Sequence, residues 1–184
     1  MLIGHVTLAV RPGHIARVRD AVLSWAVDLS QTDRPDAALI SEIGDANAIM
    51  LLHRVASIDA NLPSVLARLR DLLGEDIKTR LRSQRFELYD AAADRSELLA
   101  LTADDCVAVH VLSGLKKTPP SIAATSSGVL SLKAMTGELD RRLEFRSLKR
   151  LNEALATHDE ITDGFSAYWT ALFQPMRFDV GGKL

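Results

Sequence analysis

Ile3-Gly4-His5-Val6-Thr7-Leu8-Ala9-Val10, closed by Pro12-Gly13, reads as a β-strand delivered into a turn, because its residues are β-rich and alternate in size. Apolar residues then recur at Ile15, Val18, Val22, Trp25 or Ala26, and Leu29. Those steps of three and four residues form one helical stripe. The polar stretch from Ser30 to Asp36, with Pro35 inside it, ends the helix. Ala38 to Ile43 and Ala48 to Val55 are two more apolar runs, split by Gly44-Asp45-Ala46-Asn47, which is hairpin punctuation. Asn61 is expected to cap a second helix with Pro63 in its first turn, where a missing N–H removes no bond. Its stripe is Leu62, Leu66, Leu69, Leu72 or Leu73, and Ile77, with a break at Gly74. Gln84 to Asp90 completes the order strand, helix, two hairpinned strands, helix, strand, which is the ferredoxin-like unit.

The same order recurs after an Ala- and Asp-rich connection. Cys106 to Leu112 reads as a strand, and Lys116-Lys117-Thr118-Pro119-Pro120 as a loop. Only a stunted helix fits between Ser121 and Ser126. Val129 to Met135 and Leu139 to Phe145 flank Thr136-Gly137-Glu138, a second hairpin. Ser147 is expected to cap a helix striped by Leu148, Leu151 and Leu155 and resuming at Ile161, Phe165, Tyr168 or Trp169, and Leu172. Phe173 to Val180 would close the set as a strand. His53-Arg54-Val55 matches Phe145-Arg146-Ser147, with the two arginines 92 positions apart. Phe86-Glu87-Leu88-Tyr89-Asp90 matches Met176-Arg177-Phe178-Asp179 near the same offset, as an internal repeat requires. The expected organisation is α+β: a half over 1–91, a linker over 92–105, and a second half over 106–184 with a shortened first helix. These tandem ferredoxin-like repeats would form two four-stranded antiparallel sheets, order 4-1-3-2 in each, packed as a pseudo-dimeric α/β barrel.

Composition narrows the function classes. The 184 residues carry 22 basic and 24 acidic side chains, and no block of like charge forms a nucleic-acid footprint. No window reaches the ~18 uninterrupted apolar residues of a membrane span. The start Met1-Leu2-Ile3-Gly4-His5 shows no signal-peptide pattern. The one cysteine, Cys106 in the run Cys106-Val107-Ala108-Val109, suits a reducing cytoplasm and reads as a small core residue.

Two stretches resemble a known group. His5-Val6-Thr7-Leu8-Ala9-Val10-Arg11-Pro12-Gly13-His14 resembles the opening of antibiotic biosynthesis monooxygenase-type domains, a strand ending in Pro-Gly before the first helix. Leu143-Glu144-Phe145-Arg146-Ser147-Leu148, followed by Leu155, His158 and Phe165, resembles that group's strand–Ser–helix–His signature and also the NIPSNAP family. Both belong to the dimeric α/β-barrel superfamily, in which two four-stranded sheets pack face to face. The resemblance implies a barrel supplied by one chain. It also implies an activity drawn from cofactor-free oxygenases, haem-degrading enzymes, cyclases or proteins without catalysis. His158 occupies a position like the family's helix histidine, whereas the first strand carries His5 and Thr7 where these enzymes tend to use Asn.

The residues themselves offer three candidate catalytic groups and a set of binding groups. His5 and His53 lie on strands that neighbour each other in a ferredoxin-like sheet, and an imidazole can act as a general base near neutrality. His158 is the third candidate base. Trp25 and Trp169 are expected as aromatic walls from two helices, and Arg54, Arg142 and Arg146 as ligand-binding cations. Alternation also collects Glu42, Arg85, Glu87, Lys133, Glu144, Arg177 and Asp179 into a polar set that would pair across strands or rim the barrel interior. No metal-ligand spacing and no phosphate loop occurs, so neither a metal nor a cofactor is expected. The reading is a cofactor-independent oxygenase, isomerase or cyclase acting on a small aromatic or hydrophobic compound. The alternative is a non-catalytic ligand-binding or assembly module. The expected pocket lies in the first half between sheet and helices, and a homodimer is expected through the sheet that the stunted helix leaves uncovered.

Overall fold

The computed structural model describes residues 1–43, 47–91, 98, 100–102, 106–115, 129–137, 139–148 and 165–178. The described elements are β1 (Leu2–Val10), α1 (Ile15–Asp28), β2 (Ala37–Ile43), β3 (Ala48–Val55), α2 (Ile58–Leu72), α3 (Glu75–Lys78), β4 (Leu81–Ala91), β5 (Cys106–Leu115), β6 (Val129–Ala134), β7 (Arg142–Leu148) and β8 (Phe165–Pro175). The strands form one closed barrel in the order β1-β3-β2-β8-β5-β7-β6-β4. The run β4-β1-β3-β2 and the run β8-β5-β7-β6 have the same neighbour order, and every pair is antiparallel. Two separate sheets laid face to face were expected; instead β2 pairs with β8 and β4 with β6. A sheet edge carries unpaired N–H and C=O groups, and joining the two sheets edge to edge satisfies them.

The period-two alternation sorts side chains between inside and outside. Ile3, Leu39, Leu52, Tyr89, Val109, Leu130, Phe145 and Phe173 meet in one buried cluster inside the barrel. Leu98 and Leu101, from the segment expected as a linker, are fully buried in the same cluster. The opposite face of the first four strands, with Val6, Leu8, Val10, Ile49 and Leu51, packs against Val18 and Val22 of α1 and Val65, Leu69 and Leu72 of α2. Burying each such aliphatic side chain contributes about 1.5–3 kcal/mol, so this contact holds the helices far more firmly than their intrinsic propensity does.

Several boundaries differ from the sequence reading, each for a physical reason. Helix α2 begins at Ile58, so Pro63 lies inside it, and its buried stripe runs through Val65 while Leu66 is exposed. The break near Gly74 is real, with α3 a separate short turn. Ser147, expected as a helix cap, lies within β7. Residues 165–172, read as the end of a long helix, belong to β8. Their apolar spacing fits both periods, and pairing with β5 on one side and β2 on the other selects the strand. Cys106 is half-buried at the start of β5, not deep in the core. The expected stunted helix between Ser121 and Ser126, the capping-helix residues 149–164 and the segment 179–184 lie outside the described residues. Among the described residues no helix is long and apolar enough to cross a membrane.

Candidate functional site

The barrel interior is filled at one end and hollow at the other. Inward positions of β1 and β4 change along the strands from Ile3 and Tyr89, through His5 and Glu87, to Thr7 and Arg85, then Ala9 and Ser83, and each of these pairs is in direct cross-strand register. The later residues are small or polar and cannot fill the interior as Ile3, Tyr89 and Phe145 do. A cavity of about 580 Å³ results, with Met50, Val111, Leu143 and Trp169 as its apolar wall and Arg141 facing across. The strands β4 and β6 pair only from Tyr89 to Ala91, which leaves the wall open beyond that point. The turn after β6 partly fills the gap: Met135 N–H donates to the Leu88 carbonyl at 2.8 Å, and Leu88 N–H donates to Thr136 Oγ1 at 2.9 Å.

Glu87 organises the polar side of this cavity. Tyr89 O–H donates to Glu87 Oε2 at 3.0 Å, and Arg141 Nη1 donates to Oε1 at 3.2 Å and to Oε2 at 3.4 Å. Arg85 Nε lies 3.7 Å from Glu87 Oε1. Burial, reinforced by the Glu87 carboxylate, pushes the Tyr89 phenol well above its ordinary pKa, so it remains a hydrogen-bond donor at neutral pH. The buried carboxylate is therefore compensated, as a charge out of water must be.

His5 is 4% exposed and held edge-on by Tyr89 and Phe145, with ring centroids 5.6 and 6.4 Å away. Its Nε2 lies 3.5 Å from Thr7 Oγ1, and its Nδ1 has no hydrogen-bond partner among the described residues. Burial, followed by the charges of Arg141 and Arg85, lowers its pKa to about 4. The imidazole is neutral across the physiological range, with one ring nitrogen able to accept a proton or a hydrogen bond.

The other residues singled out in the sequence scatter. His53 sits opposite Gly4 in register, so it faces away from His5 and no imidazole pair forms. It packs edge-on against Trp25 at 6.3 Å in the layer between barrel and helices. That layer, where a pocket was expected, is occupied by the apolar cluster around Val18, Val22 and Leu69. Trp25 therefore borders the helices and does not line the barrel cavity, whereas Trp169 does, from a strand and not from a helix. Arg54 is engaged with Asp36, its Nε donating to Oδ1 at 2.6 Å and its backbone N–H to Oδ2 at 2.8 Å. Arg142, Glu144 and Arg146 alternate with the inward Leu143 and Phe145, so they lie on the outer face. Among the described members of the polar set, Arg85 and Glu87 alone reach the cavity. His158 lies outside the described residues. Among those residues no group of three or more His, Cys, Asp and Glu is placed to hold a metal ion.

Tyr89 and Arg141 are site residues that the sequence reading omits. The spacing Arg85, Glu87, Tyr89 at every second position is a usable signal for the first. Nothing local marks Arg141, which reaches Glu87 only because the barrel closes.

No sequence family matches the chain, and no curated protein matches it. Solved structures do. A protein proposed to be a monooxygenase from Lactobacillus acidophilus superposes with a TM-score of 0.57 at 10% identity, over 95% of this chain and 93% of that one. An anthrone oxidase-like protein does so at 0.55 and 10%, over 96% of this chain and 91% of that one. A variant chlorite dismutase from Candidatus Nitrospira defluvii reaches 0.56 at 11%, over 97% and 92%. These structures share this chain's fold, and here all eight strands of the barrel are supplied by a single polypeptide.

Proposed function

We propose that the chain binds a small, flat, weakly acidic aromatic compound inside the barrel and removes a proton from it with His5, as the first step of a cofactor-independent oxygenation. One observation carries this reading: a buried, neutral imidazole, His5, lines a cavity that also holds Arg85 and Arg141. Deprotonating an activated methylene leaves a carbanion, and nearby guanidinium groups stabilise the negative charge as it spreads onto an adjacent carbonyl oxygen. The forming anion also offsets the repulsion of Arg85 and Arg141 on the His5 imidazolium, raising its basicity when the proton moves. Dioxygen is the oxidant. It adds at the carbanion, and the imidazolium returns its proton to the peroxide to give a hydroperoxide. Loss of water then leaves a carbonyl, so one methylene and one dioxygen become one carbonyl group and one water. The names of the structural neighbours, a proposed monooxygenase and an anthrone oxidase-like protein, support the oxygenase class. An isomerase or cyclase would share the proton removal and omit the oxygen step.

The same reading takes residues 1–91 and 106–184 as two ferredoxin-like copies joined through 92–105, because the two runs of four strands share one neighbour order. The second copy then contributes Arg141 and Trp169 to a site whose base comes from the first.

A second reading is a non-catalytic ligand-binding module, favoured by the low basicity of His5 in the free protein. The test is dioxygen uptake with a panel of anthrone-type and hydroxyaromatic compounds, using the intact chain and His5→Ala. Turnover that falls by about 10²-fold or more in His5→Ala supports the oxygenase. Binding of the compounds with no uptake by the intact chain selects the module, and uptake unchanged in His5→Ala removes His5 as the base.

A further inference from the structure

One row of residues sets the floor of the cavity and the next row meets its contents. Leu52, His5 and Glu87 are aligned across β3, β1 and β4, and one inward position nearer the open end Met50, Thr7 and Arg85 are aligned in the same way. All three members of the second row line the cavity, whereas Leu52 of the first is fully buried in the filled core. His5 is therefore part of the floor, and the half-exposed Thr7 lies on its open side. The two ring nitrogens of His5 differ. Nδ1 is sealed from solvent and has no hydrogen-bond partner among the described residues, so a ligand in the hollow does not reach it. Nε2 meets Thr7 Oγ1 at 3.5 Å, the long limit of a hydrogen bond, and such contacts tighten when a ligand fills the site.

We infer that Thr7 is a catalytic relay: the ligand gives its proton to Thr7 Oγ1 while the Thr7 hydroxyl proton passes to His5 Nε2. This rests on the reading of His5 as the base and adds the residue through which it acts. The step balances, because Thr7 loses one proton and gains another, the imidazole becomes an imidazolium, and the ligand keeps the electron pair of the broken bond. The proton returned to the peroxide retraces the path. A hydroxyl suits the task, since it is donor and acceptor at once. The relay needs the resting proton on Nδ1 and the lone pair on Nε2. The surroundings of the ring favour that tautomer: Tyr89 and Phe145 stand edge-to-face with it, and the positive edge of an N–H suits an aromatic face where a lone pair does not. Arg85, directly across the strands from Thr7, places a positive charge beside the hydroxyl as it gives up its proton.

Two measurements on the intact chain test the relay. Nitrogen NMR of the isotope-labelled protein at neutral pH reads the His5 tautomer. The expected result is a protonated Nδ1 and an unprotonated Nε2, and a proton resting on Nε2 overturns the relay. The second is deuterium uptake at the methylene of anthrone in heavy water without dioxygen, in excess of the buffer rate, which separates proton removal from oxygenation. Thr7→Val keeps the shape and removes the hydroxyl. It should lower the exchange rate by about 10²-fold or more, as far as His5→Ala does, with anthrone binding in calorimetry little changed. Thr7→Ser restores the hydroxyl and should recover most of the rate. Exchange that survives in Thr7→Val and is lost in His5→Ala overturns the relay and leaves His5 as the base. Exchange that survives in both variants, or is absent from the intact chain, overturns the base reading and the relay with it. If Thr7→Val loses exchange and binding together and Thr7→Ser recovers neither, Thr7 only shapes the cavity and the relay is overturned.

Discussion

Two buried imidazoles make the protein's stability depend on pH in a definite direction. Burial lowers the pKa of both His5 and His53 to about 4. For His53 the Asp36 charge opposes the shift and Arg68 adds to it, and neither reverses the effect of burial. An unfolded histidine titrates near 6.5, so between about pH 6.5 and 4 the unfolded chain binds more protons than the folded one. The stabilisation is therefore complete above about pH 6.5 and is lost as pH falls towards 4. At pH 5 each histidine should lower the unfolding free energy by about 2 kcal/mol relative to pH 7.5. Urea denaturation at the two pH values measures the sum, and His53→Phe should remove roughly half of it. A fall that is the same in His53→Phe would show that His53 is not the titrating group. His5 was legible in the sequence as a strand histidine, but its distance from His53 was not, because one residue of register decides which face a strand side chain takes.

At the scale of elements, the β6–β7 hairpin is the piece that links fold to site. Gly137 in its turn has φ of +76°, and a Cβ there would stand 2.9 Å from Glu87 Oε1. Both facts call for glycine: a side chain would strain the backbone and push on the carboxylate that orients Arg141 and Tyr89. Gly137→Ala should lower stability by about 1–2 kcal/mol. It should also weaken ligand binding by displacing Arg141, and calorimetric titration of the folded variant checks the second effect separately from the first. The hairpin itself was readable from Thr136-Gly137-Glu138 between two apolar runs. Its docking partner, the open edge of β4, was not readable, because the contact between Leu88 and Thr136 spans 48 positions and no local pattern encodes it. The reassignment of residues 165–172 from helix to strand has the same origin. Local spacing allowed either period, and hydrogen bonding to β5 and β2 chose between them.

For the whole molecule, closure predicts cooperativity. Each run of four strands is bonded to the other along two edges, and the inner core draws on both runs, so neither keeps its core if the other opens. The two tryptophans report on the two runs separately, Trp25 from α1 and Trp169 from β8. Fluorescence-detected urea unfolding of Trp25→Phe and Trp169→Phe, each compared with far-UV circular dichroism of the same variant, should give coincident midpoints for the two probes. Fluorescence and dichroism midpoints that separate within either variant would show that the two runs unfold as independent units.

The sequence by itself determined the order of strands and helices over residues 1–91, the antiparallel class, and Arg85 and Glu87 as members of a polar set at alternate strand positions. Those follow from period, turn chemistry and capping, which act over a few residues. Only the tertiary structure decided that the sheets join edge to edge, that His5 and not His53 faces the cavity, and that Arg141 and Trp169 complete the site from the far part of the chain. Those depend on register and closure between strands distant in the chain, where the free energy lies in paired backbone edges and a shared core that no local pattern contains.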